Sequence, residues 1–576
     1  MLTNEVGFHE PLVASSTATA PLLPWLLAQP DNKKRVYLAI ALSGLAVLVM
    51  GGIVPGLNSI YGVLHVEKVF RSQCTQAQQD KCANIPAGPN MQPCCQEQDY
   101  ALTVFSTAAL FSSDGVMLLY GELLDRKGPR WCLGVGVAMS WLGFALLSLN
   151  DASFGFHSDA LWCVAFILVG AAGPGVFMGC LTFGECFPLY QPIFTAVCAS
   201  MWDTSSCIFL LFSSLYFDAH LPFSVIALVW LVIVTIVGGS VWTQLPTQSQ
   251  LDGLRGHASV RASVRLSSNG LADFVGEHVP PAGSAPSSLR SSTRSLAAPP
   301  SGANEEAMAP RVVQAPRVLP DPLYNSMSST NGGHTLRHLF VRGDTILLLL
   351  FMSMYNLVSS FYIVTIKEQL ATFLSSGEAD AISLTFNIAL PVGGALSSVG
   401  TVVLLKRLHH DEHLYMTLVV LLACAFSLAN LAPFASIQYF AAVCFGPTRT
   451  LQWAAYFLFL EQPHRYPPAM VGRVIGYANL IIALVGDGAP SLLSFYVLHA
   501  AWPSSKYARF EFVKSILAAA ICSCIAFPIY LVGERRRRAK KAMSRQLDPG
   551  MCVDPIRCVD DAPIEVHQTV DTRASR

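Results

Sequence analysis

Charged side chains interrupt four apolar stretches of this sequence. Asp203 and Arg449 stand near the centres of two of these stretches, and Asp487 and Asp114 interrupt two others. A charge at the middle of a bilayer costs at least about 2.5 kcal/mol on insertion scales, so residues of this kind usually face a partner or a cavity. An amino acid presents a carboxylate and an ammonium together, and a buried arginine and aspartate would bind these two groups. Asp203, Arg449 and Asp487 are therefore candidates for a solute-binding site.

Uncharged polar side chains in the same stretches extend the candidate site. A broken segment from Gly51 to Gly56 would free backbone groups near Asn58, as in discontinuous membrane helices. Amides and hydroxyls add hydrogen-bonding capacity, although amides also commonly pack helices together. An internal salt bridge would explain Asp203 and Arg449 equally well. The expected substrate-contact residues are Asn58, Asp203, Thr204, Asn356, Ser359, Arg449 and Asp487.

The composition indicates where these residues lie. Only 13% of the 576 residues are charged, against roughly 25% in an ordinary soluble domain. Apolar windows of about 20 residues are long enough to cross a hydrocarbon core about 30 Å thick. The fold class is therefore an all-α membrane protein. Twelve spans are predicted, at about 36–61, 101–120, 131–149, 160–182, 192–216, 221–244, 344–366, 379–404, 414–433, 435–460, 471–495 and 510–532.

Basic residues gather at alternate span ends. Lys33 to Arg35 precede the first span, Arg535 to Arg538 follow the last, and the loop from Asp125 to Arg130 falls on the same side. Lys and Arg are enriched in cytoplasmic loops of membrane proteins. We therefore predict a multi-pass protein with both termini in the cytosol.

A long segment of different composition separates spans six and seven. Residues 246–340 are rich in Ser, Ala, Pro and Arg, and such a segment cannot bury enough apolar surface to offset its ordering entropy. We expect a disordered cytosolic linker, either plainly solvated or phosphorylated. The predicted organisation is a cytosolic tail at 1–35, a six-helix bundle at 36–245, the linker at 246–340, a second six-helix bundle at 341–532 and a basic cytosolic tail at 533–576.

The first exoplasmic loop, predicted at 63–99, contains Cys74, Cys82, Cys94 and Cys95. Cysteines in an oxidising compartment favour disulfides, and four cysteines allow three pairings. Cys94 and Cys95 are adjacent and too constrained to pair easily, which leaves two pairings. A zinc site is the alternative, and we expect no metal.

The loop from Gly121 to Arg130 has the composition of a tight cytosolic turn. Gly121 permits close helix approach, and Gly128 permits a sharp reversal before the next helix. Asp125 can cap a helix N-terminus or pair with an arginine, which gives a latch that holds and releases. Asp114 lies about two helical turns before Gly121, so we expect it at the same gate. The expected gating residues are Asp114, Gly121, Asp125, Arg126, Gly128 and Arg130.

This loop resembles the signature loop of the major facilitator superfamily, with its Gly, Asp-Arg, Gly and final basic residue. The resemblance implies the major facilitator fold, with 12 transmembrane helices in two six-helix halves. Other segments are similar to the apicomplexan amino acid transporter family, a relative of the facilitative system-L-type carriers. These segments are the loop that ends at Asp99, Trp202 to Ser205, and Val471 to Gly476. The resemblance covers the twelve spans and implies transport of cationic or large neutral amino acids at the plasma membrane.

Patterns for other chemistry are weak in this sequence. His409 and His413 would share one helix face, yet no glutamate directly follows His409, where the H-E-x-x-H zinc protease motif has one, so a solvated helix end is the better interpretation. The sequence contains no phosphate-binding loop and no nucleophile elbow. We therefore expect no enzyme, no cofactor and no nucleic-acid partner.

The expected function is a secondary transporter, facilitative or cation-coupled, that works as a monomer by alternating access. One alternative is a carrier of another small polar solute, such as a sugar, a nucleoside or a monocarboxylate. The other is a transporter-like nutrient sensor. Uncharged cargo would make the intramembrane charges structural, so competition by different solutes separates these alternatives.

Overall fold

The computed structural model describes residues 27, 32–82, 94–150, 158–187, 190–251, 332–408, 412–462, 465–467, 470–500 and 502–547. Helices dominate these residues, and no strand occurs among them. The helices are α1 Lys33–Met50, α2 Tyr61–Val66, α3 Gln76–Cys82, α4 Gln96–Gly115, α5 Met117–Lys127, α6 Pro129–Leu149, α7 Asp159–Phe183, α8 Gln191–Thr204, α9 Cys207–Phe217, α10 Phe223–Gln244, α11 Gly332–Phe340, α12 Gly343–Ala371, α13 Ser376–Leu408, α14 Glu412–Ala429, α15 Ala435–Leu460, α16 Val471–Gly486, α17 Ala489–His499, α18 Lys506–Ser523 and α19 Ala526–Leu547. Most of the predicted tails and linker, together with His409, lie outside the described residues.

Nine helical segments of the described chain are long and apolar enough to cross a membrane. A tenth is obtained if α1 and the segment Val54–Val66 count as one bent span. The protein is therefore a multi-pass α-helical membrane protein. The two other predicted spans are also helical: α14 has a shorter apolar stretch at His413–Ala429, and α15 carries polar side chains such as Arg449. The number of twelve spans and the major facilitator fold stay predictions.

Five of the described spans contain a break in the helix. The first bends by 48° between Met50 and Val54, within the segment where the sequence predicts a break. A Cβ atom on Gly52 in this bend would lie 2.2 Å from the carbonyl oxygen of Trp202, so only glycine permits the approach. The other breaks lie between α4 and α5 in the second span, between α8 and α9 in the fifth, between α16 and α17 in the eleventh, and between α18 and α19 in the twelfth. All of these breaks except that in the twelfth span lie next to polar residues of the candidate site.

The helices form two groups that face each other. The first half comprises α1 to α10 and the second half comprises α12 to α19. Between the halves, α5 and α4 pack on α16, and α8 packs on α13 and α15. Asp203, Arg449 and Asp487 lie on these contacting helices or at their ends, whereas Asn356 and Ser359 lie on α12.

The two ends of the helix bundle carry different loops. The disulfide end holds the loop before α4, in which Cys74 and Cys95 form a disulfide. This bond is consistent with one of the two pairings that the sequence leaves open. Cys94 is also disulfide-bonded, and the side chain of Cys82 lies outside the described set. The hairpin end holds the turn at Gly128 between α5 and α6.

Candidate functional site

A buried ion pair joins the two halves. Asp203 on α8 is fully buried, and Arg449 on α15 is 5% exposed. The Oδ1 atom of Asp203 lies 3.4 Å from Nη1 of Arg449. The hydroxyl of Thr450 donates a hydrogen bond to Oδ2 of Asp203 at 2.7 Å. The fold thus brings together the two charges that the sequence analysis proposed as partners for an ammonium and a carboxylate.

Several polar atoms of this ion pair have no hydrogen-bond partner among the described residues. These atoms are Nε and Nη1 of Arg449 and Oδ1 of Asp203. Their 3.4 Å separation is longer than the usual charge-assisted hydrogen bond, at about 2.7–2.9 Å. A buried donor or acceptor left without a partner costs about 1–3 kcal/mol. The pair therefore retains unused donors and an unused acceptor that a zwitterionic ligand would satisfy.

A second polar cluster is built from α4, α12 and the break between α16 and α17. The Nδ2 atom of Asn356 donates to Oδ2 of Asp114 at 3.3 Å and to Oδ1 of Asp487 at 3.0 Å. The hydroxyl of Ser360 also donates to Oδ1 of Asp487, at 2.8 Å. Arg449 interacts electrostatically with both carboxyl groups. The contacts of Asp114 thus lie among the substrate-contact candidates, whereas the sequence analysis expected Asp114 at the gate.

A narrow cavity of about 10 Å³ adjoins these charges. Asp114 lines it together with aromatic rings from both halves, and the centroids of Phe177 and Phe457 are 4.8 Å apart. Trp202 and Trp453 complete the aromatic part of the wall. A volume of this size holds about one water molecule. This cavity is therefore too small for a solute larger than water unless these rings separate.

The remaining substrate-contact candidates lie in the bent first span, on α8 and on α12. Asn58 in the bent first span donates through Nδ2 to the carbonyl oxygen of Ile363 on α12, which connects the halves. The hydroxyl of Thr204 donates to the carbonyl oxygen of Ser200 at 2.7 Å, within α8. Ser359 is buried on α12. Of these three residues, Asn58 lines an open cavity.

That open cavity, which we call the vestibule, has a volume of about 490 Å³ and lies at the disulfide end. Two ion pairs line it. Nζ of Lys367 is 3.0 Å from Oδ1 of Asp380, and Nζ of Lys506 is 3.0 Å from Oε2 of Glu368. These four charged residues were not selected from the sequence. The feature that could have indicated them is their position near the ends of predicted spans. The vestibule is therefore a charged cavity that is lined by residues of both halves.

The hairpin end, in contrast, is closed by direct contact between α5 and α16. A Cβ atom on Gly121 would lie 2.1 Å from the carbonyl oxygen of Gly472. The carboxylate of Asp125 accepts hydrogen bonds from the backbone N–H groups of Gly472 at 3.1 Å and Arg473 at 3.0 Å. A carboxylate in this position caps the N-terminus of α16. Because Asp125 and α16 belong to different halves, this cap connects the halves.

The other residues of the hairpin have contacts within the first half. Gly128 has a φ of +90°, in the region that favours glycine. Arg126 pairs with Glu122 on its own helix at 2.5 Å and has 69% of its side chain exposed, so this pair contributes little stability. The guanidinium of Arg130 lies 4.0 Å from the ring centroid of Trp242 on α10.

Glu461, just beyond α15, makes a second contact between the halves at the hairpin end. Its Oε2 atom accepts hydrogen bonds from the hydroxyl of Thr195 at 3.1 Å and from Nε2 of Gln191 at 3.3 Å. Burial raises the pKa of Glu461 to about 8, and the nearby Glu185 carboxyl adds to the rise. The sequence analysis did not select this residue. Its signal in the sequence is that Glu185 follows span four and Glu461 follows span ten at equivalent places.

Comparison with known proteins finds limited similarity. No protein-family model matches the chain. The chain is similar to Protein FMP42 of Saccharomyces cerevisiae (strain ATCC 204508 / S288c), with 28% identity over 185 residues. The match covers 31% of this chain and 33% of the yeast protein. The chain therefore matches about a third of that relative's length, and the superfamily expected from the sequence stays a prediction.

Proposed function

We propose that this protein is a secondary transporter that moves amino acids, cationic or large neutral, across the plasma membrane by alternating access. Both termini would be cytosolic, so the disulfide end would face the exterior. The protein would act as a monomer and would belong to the major facilitator superfamily. Its multi-pass architecture and its polar centre between two halves support a transporter rather than an enzyme.

The observation that carries this proposal is the incomplete bonding of Arg449 and Asp203. Two guanidinium N–H groups and one carboxylate oxygen are buried without hydrogen-bond partners in the described structure. A substrate carboxylate would accept from Arg449, and a substrate ammonium would donate to Asp203. A buried ion pair that served only to hold two helices would gain stability from fully formed hydrogen bonds. A zwitterion completes the bonding on both sides.

Contacts between the halves support the alternating-access part of the proposal. The described bundle is open at the vestibule and closed at the hairpin end, where Asp125 caps α16. Rocking of the halves would break that cap and the contact of Gly121 with Gly472, and would close the vestibule. The candidate residues Asp203 and Arg449 come from opposite halves, so the same movement would change the distance between them.

Uptake of labelled amino acids by cells that express the protein tests the proposal. We expect saturable uptake that is inhibited by free amino acids and not by their N-acetyl or carboxamide derivatives, which lack one of the two charges. Arg449→Lys and Asp203→Asn keep much of the side-chain volume and remove the guanidinium fork or the negative charge. Loss of about 2 kcal/mol of a charge-pair interaction lowers uptake about 30-fold.

Surface expression of every variant is measured in parallel. Arg536→Ala and Asp80→Asn are matched controls because both side chains are exposed, and these variants should transport like the wild type. Normal uptake by Arg449→Lys and Asp203→Asn would show that the ion pair does not contact substrate. Inhibition of uptake by sugars or nucleosides, and not by amino acids, would show that the substrate belongs to another class. Absence of all uptake, despite surface expression, would favour a nutrient sensor.

A further inference from the structure

Two carboxyl groups face each other in the centre of the protein. One nitrogen, Nδ2 of Asn356, is within 3.3 Å of an oxygen of Asp114 and within 3.0 Å of an oxygen of Asp487. The two carboxyl groups also lie within hydrogen-bonding range of each other. A hydrogen bond between two carboxyl groups requires a proton on one of them, and two carboxylates in contact do not both ionise. The pair therefore contains a binding position for one proton.

The second carboxyl oxygen of Asp487 is a binding position for this proton. Its Oδ1 atom accepts from Asn356 and Ser360, whereas its Oδ2 atom is buried and receives no hydrogen bond from any described donor. A proton on Oδ2 of Asp487 would donate to the carboxyl group of Asp114. Asp114 lines the central cavity, so one water molecule there would connect the pair to solvent when the cavity opens.

Few charged or titratable groups face the pair. Arg449 and Tyr456 face it from α15, and Asn356 and Ser360 on α12 are neutral donors. Asp203 on α8 faces Arg449 from the opposite side, and Tyr355 on α12 adjoins both members of that ion pair. The described centre thus has one guanidinium for three carboxyl groups. One cation cannot compensate all three in a low-dielectric interior, which gives a second reason for a bound proton.

Substrate binding at the proposed site would strengthen proton binding. A substrate carboxylate on Arg449 would take up the positive charge that otherwise compensates Asp114 and Asp487. The pair would then bind its proton more tightly, and by linkage the proton would increase the affinity for substrate by the same factor. Asp114 belongs to the first half, and Asp487, Asn356 and Ser360 belong to the second. Rocking of the halves would therefore separate the pair and release the proton together with the substrate.

From this arrangement we propose that Asp114 and Asp487 together bind one proton that crosses the membrane in the same direction as the substrate. The protein would then be a proton-coupled symporter and not a facilitative carrier. The proton bonds to a carboxyl oxygen of the pair on one side of the membrane and leaves to water on the other. This inference rests on the proposed amino acid transport.

The test uses the full chain reconstituted in proteoliposomes, with the membrane potential held at zero by potassium and valinomycin. Labelled amino acids that the wild type transports are presented with an inward proton gradient. If one proton is transported with each substrate molecule, the ratio of internal to external substrate should rise tenfold for each pH unit of gradient. At zero membrane potential, this ratio at equilibrium equals the ratio of external to internal proton concentration. A pH-sensitive dye inside the vesicles should report acidification when substrate is added without a proton gradient.

Asp114→Asn removes a titrating carboxyl group and keeps its shape. This variant should lose gradient-driven accumulation, and its substrate dissociation constant, measured in detergent, should no longer depend on pH between 5.5 and 7.5. The wild type should bind more tightly at the lower pH. Asp114→Glu retains a titrating carboxyl group and should retain the pH dependence of binding. Asp80→Asn, an exposed carboxylate on the first loop, is the matched control and should behave like the wild type.

The outcomes separate the two proposals. Amino acid uptake by the wild type without a response to the proton gradient and without acidification would overturn proton coupling and leave amino acid transport in place. An Asp114→Asn variant that still accumulates substrate along the proton gradient would overturn the assignment of the proton to this pair. Absence of any amino acid uptake or binding by the wild type would overturn the proposed function, and proton coupling with it.

Discussion

Substitution of Gly121 by alanine should shift the protein away from the state that is closed at the hairpin end. The added Cβ atom would lie 2.1 Å from the carbonyl oxygen of Gly472 and 3.3 Å from the Cα atom of Gly476. A normal carbon–oxygen contact is about 3.3 Å or longer, so α5 and α16 must separate by about 1 Å. Overpacking of this kind costs about 1–3 kcal/mol. The population of the state that is closed at the hairpin end should therefore fall about 5- to 150-fold relative to the state that is open there.

The assay measures access to the vestibule. Asn387 lines the vestibule, and an Asn387→Cys variant can be labelled with a polar maleimide in detergent. The parent protein gives the background from native cysteines. Opening of the hairpin end should close the vestibule, so Gly121→Ala should slow labelling of the introduced thiol. The smaller shift above slows labelling by up to about fivefold, and a larger shift slows it further.

Gly400→Ala is the matched control for this experiment. Gly400 lies in helix α13 of the second half, and a Cβ atom there would meet nothing within 4 Å. This variant should label at the wild-type rate. Equal labelling rates for Gly121→Ala and Gly400→Ala would refute the reasoning, because the predicted overlap would then have no effect on the two states.

Two further predictions concern stability. Burial raises the pKa of Glu461 from 4.5 to about 8. The contribution of this group to the free energy of unfolding is therefore fully present below pH 4.5 and is lost as the pH rises through 8. The thermal midpoint should fall between pH 5 and pH 9 by more in the wild type than in Glu461→Gln, with the exposed Glu97→Gln as control; equal slopes would contradict this. The disulfide between Cys74 and Cys95, 21 residues apart, should stabilise the fold by about 3 kcal/mol. Cys74→Ser should therefore unfold at a lower temperature than Cys163→Ser, which removes a free thiol, and equal midpoints would argue against this contribution.

Local sequence determined several features of this protein. Long apolar stretches with few charges determine membrane-spanning helices, because a bilayer offers the backbone no hydrogen-bond partners. The break in the first span follows from its glycines and proline, and the tight turn at Gly128 follows from a residue that adopts positive φ without strain. Charges inside apolar stretches, such as Asp203 and Arg449, can also be recognised in the sequence. A charge in the hydrocarbon core has a high free energy, so such residues are rare there.

Only the tertiary structure decided which of these residues meet. Asp114 and Asn356 are 242 positions apart, and Asp203 and Thr450 are 247 apart. No helical period connects such positions, so spacing along the chain suggested a gate for Asp114, whereas packing of α4 against α16 brings it to Asp487. The same holds for Glu461, whose partners lie on another half. Local pattern is set by each segment's own backbone and solvent, while a binding site between two halves is set by how their surfaces fit together.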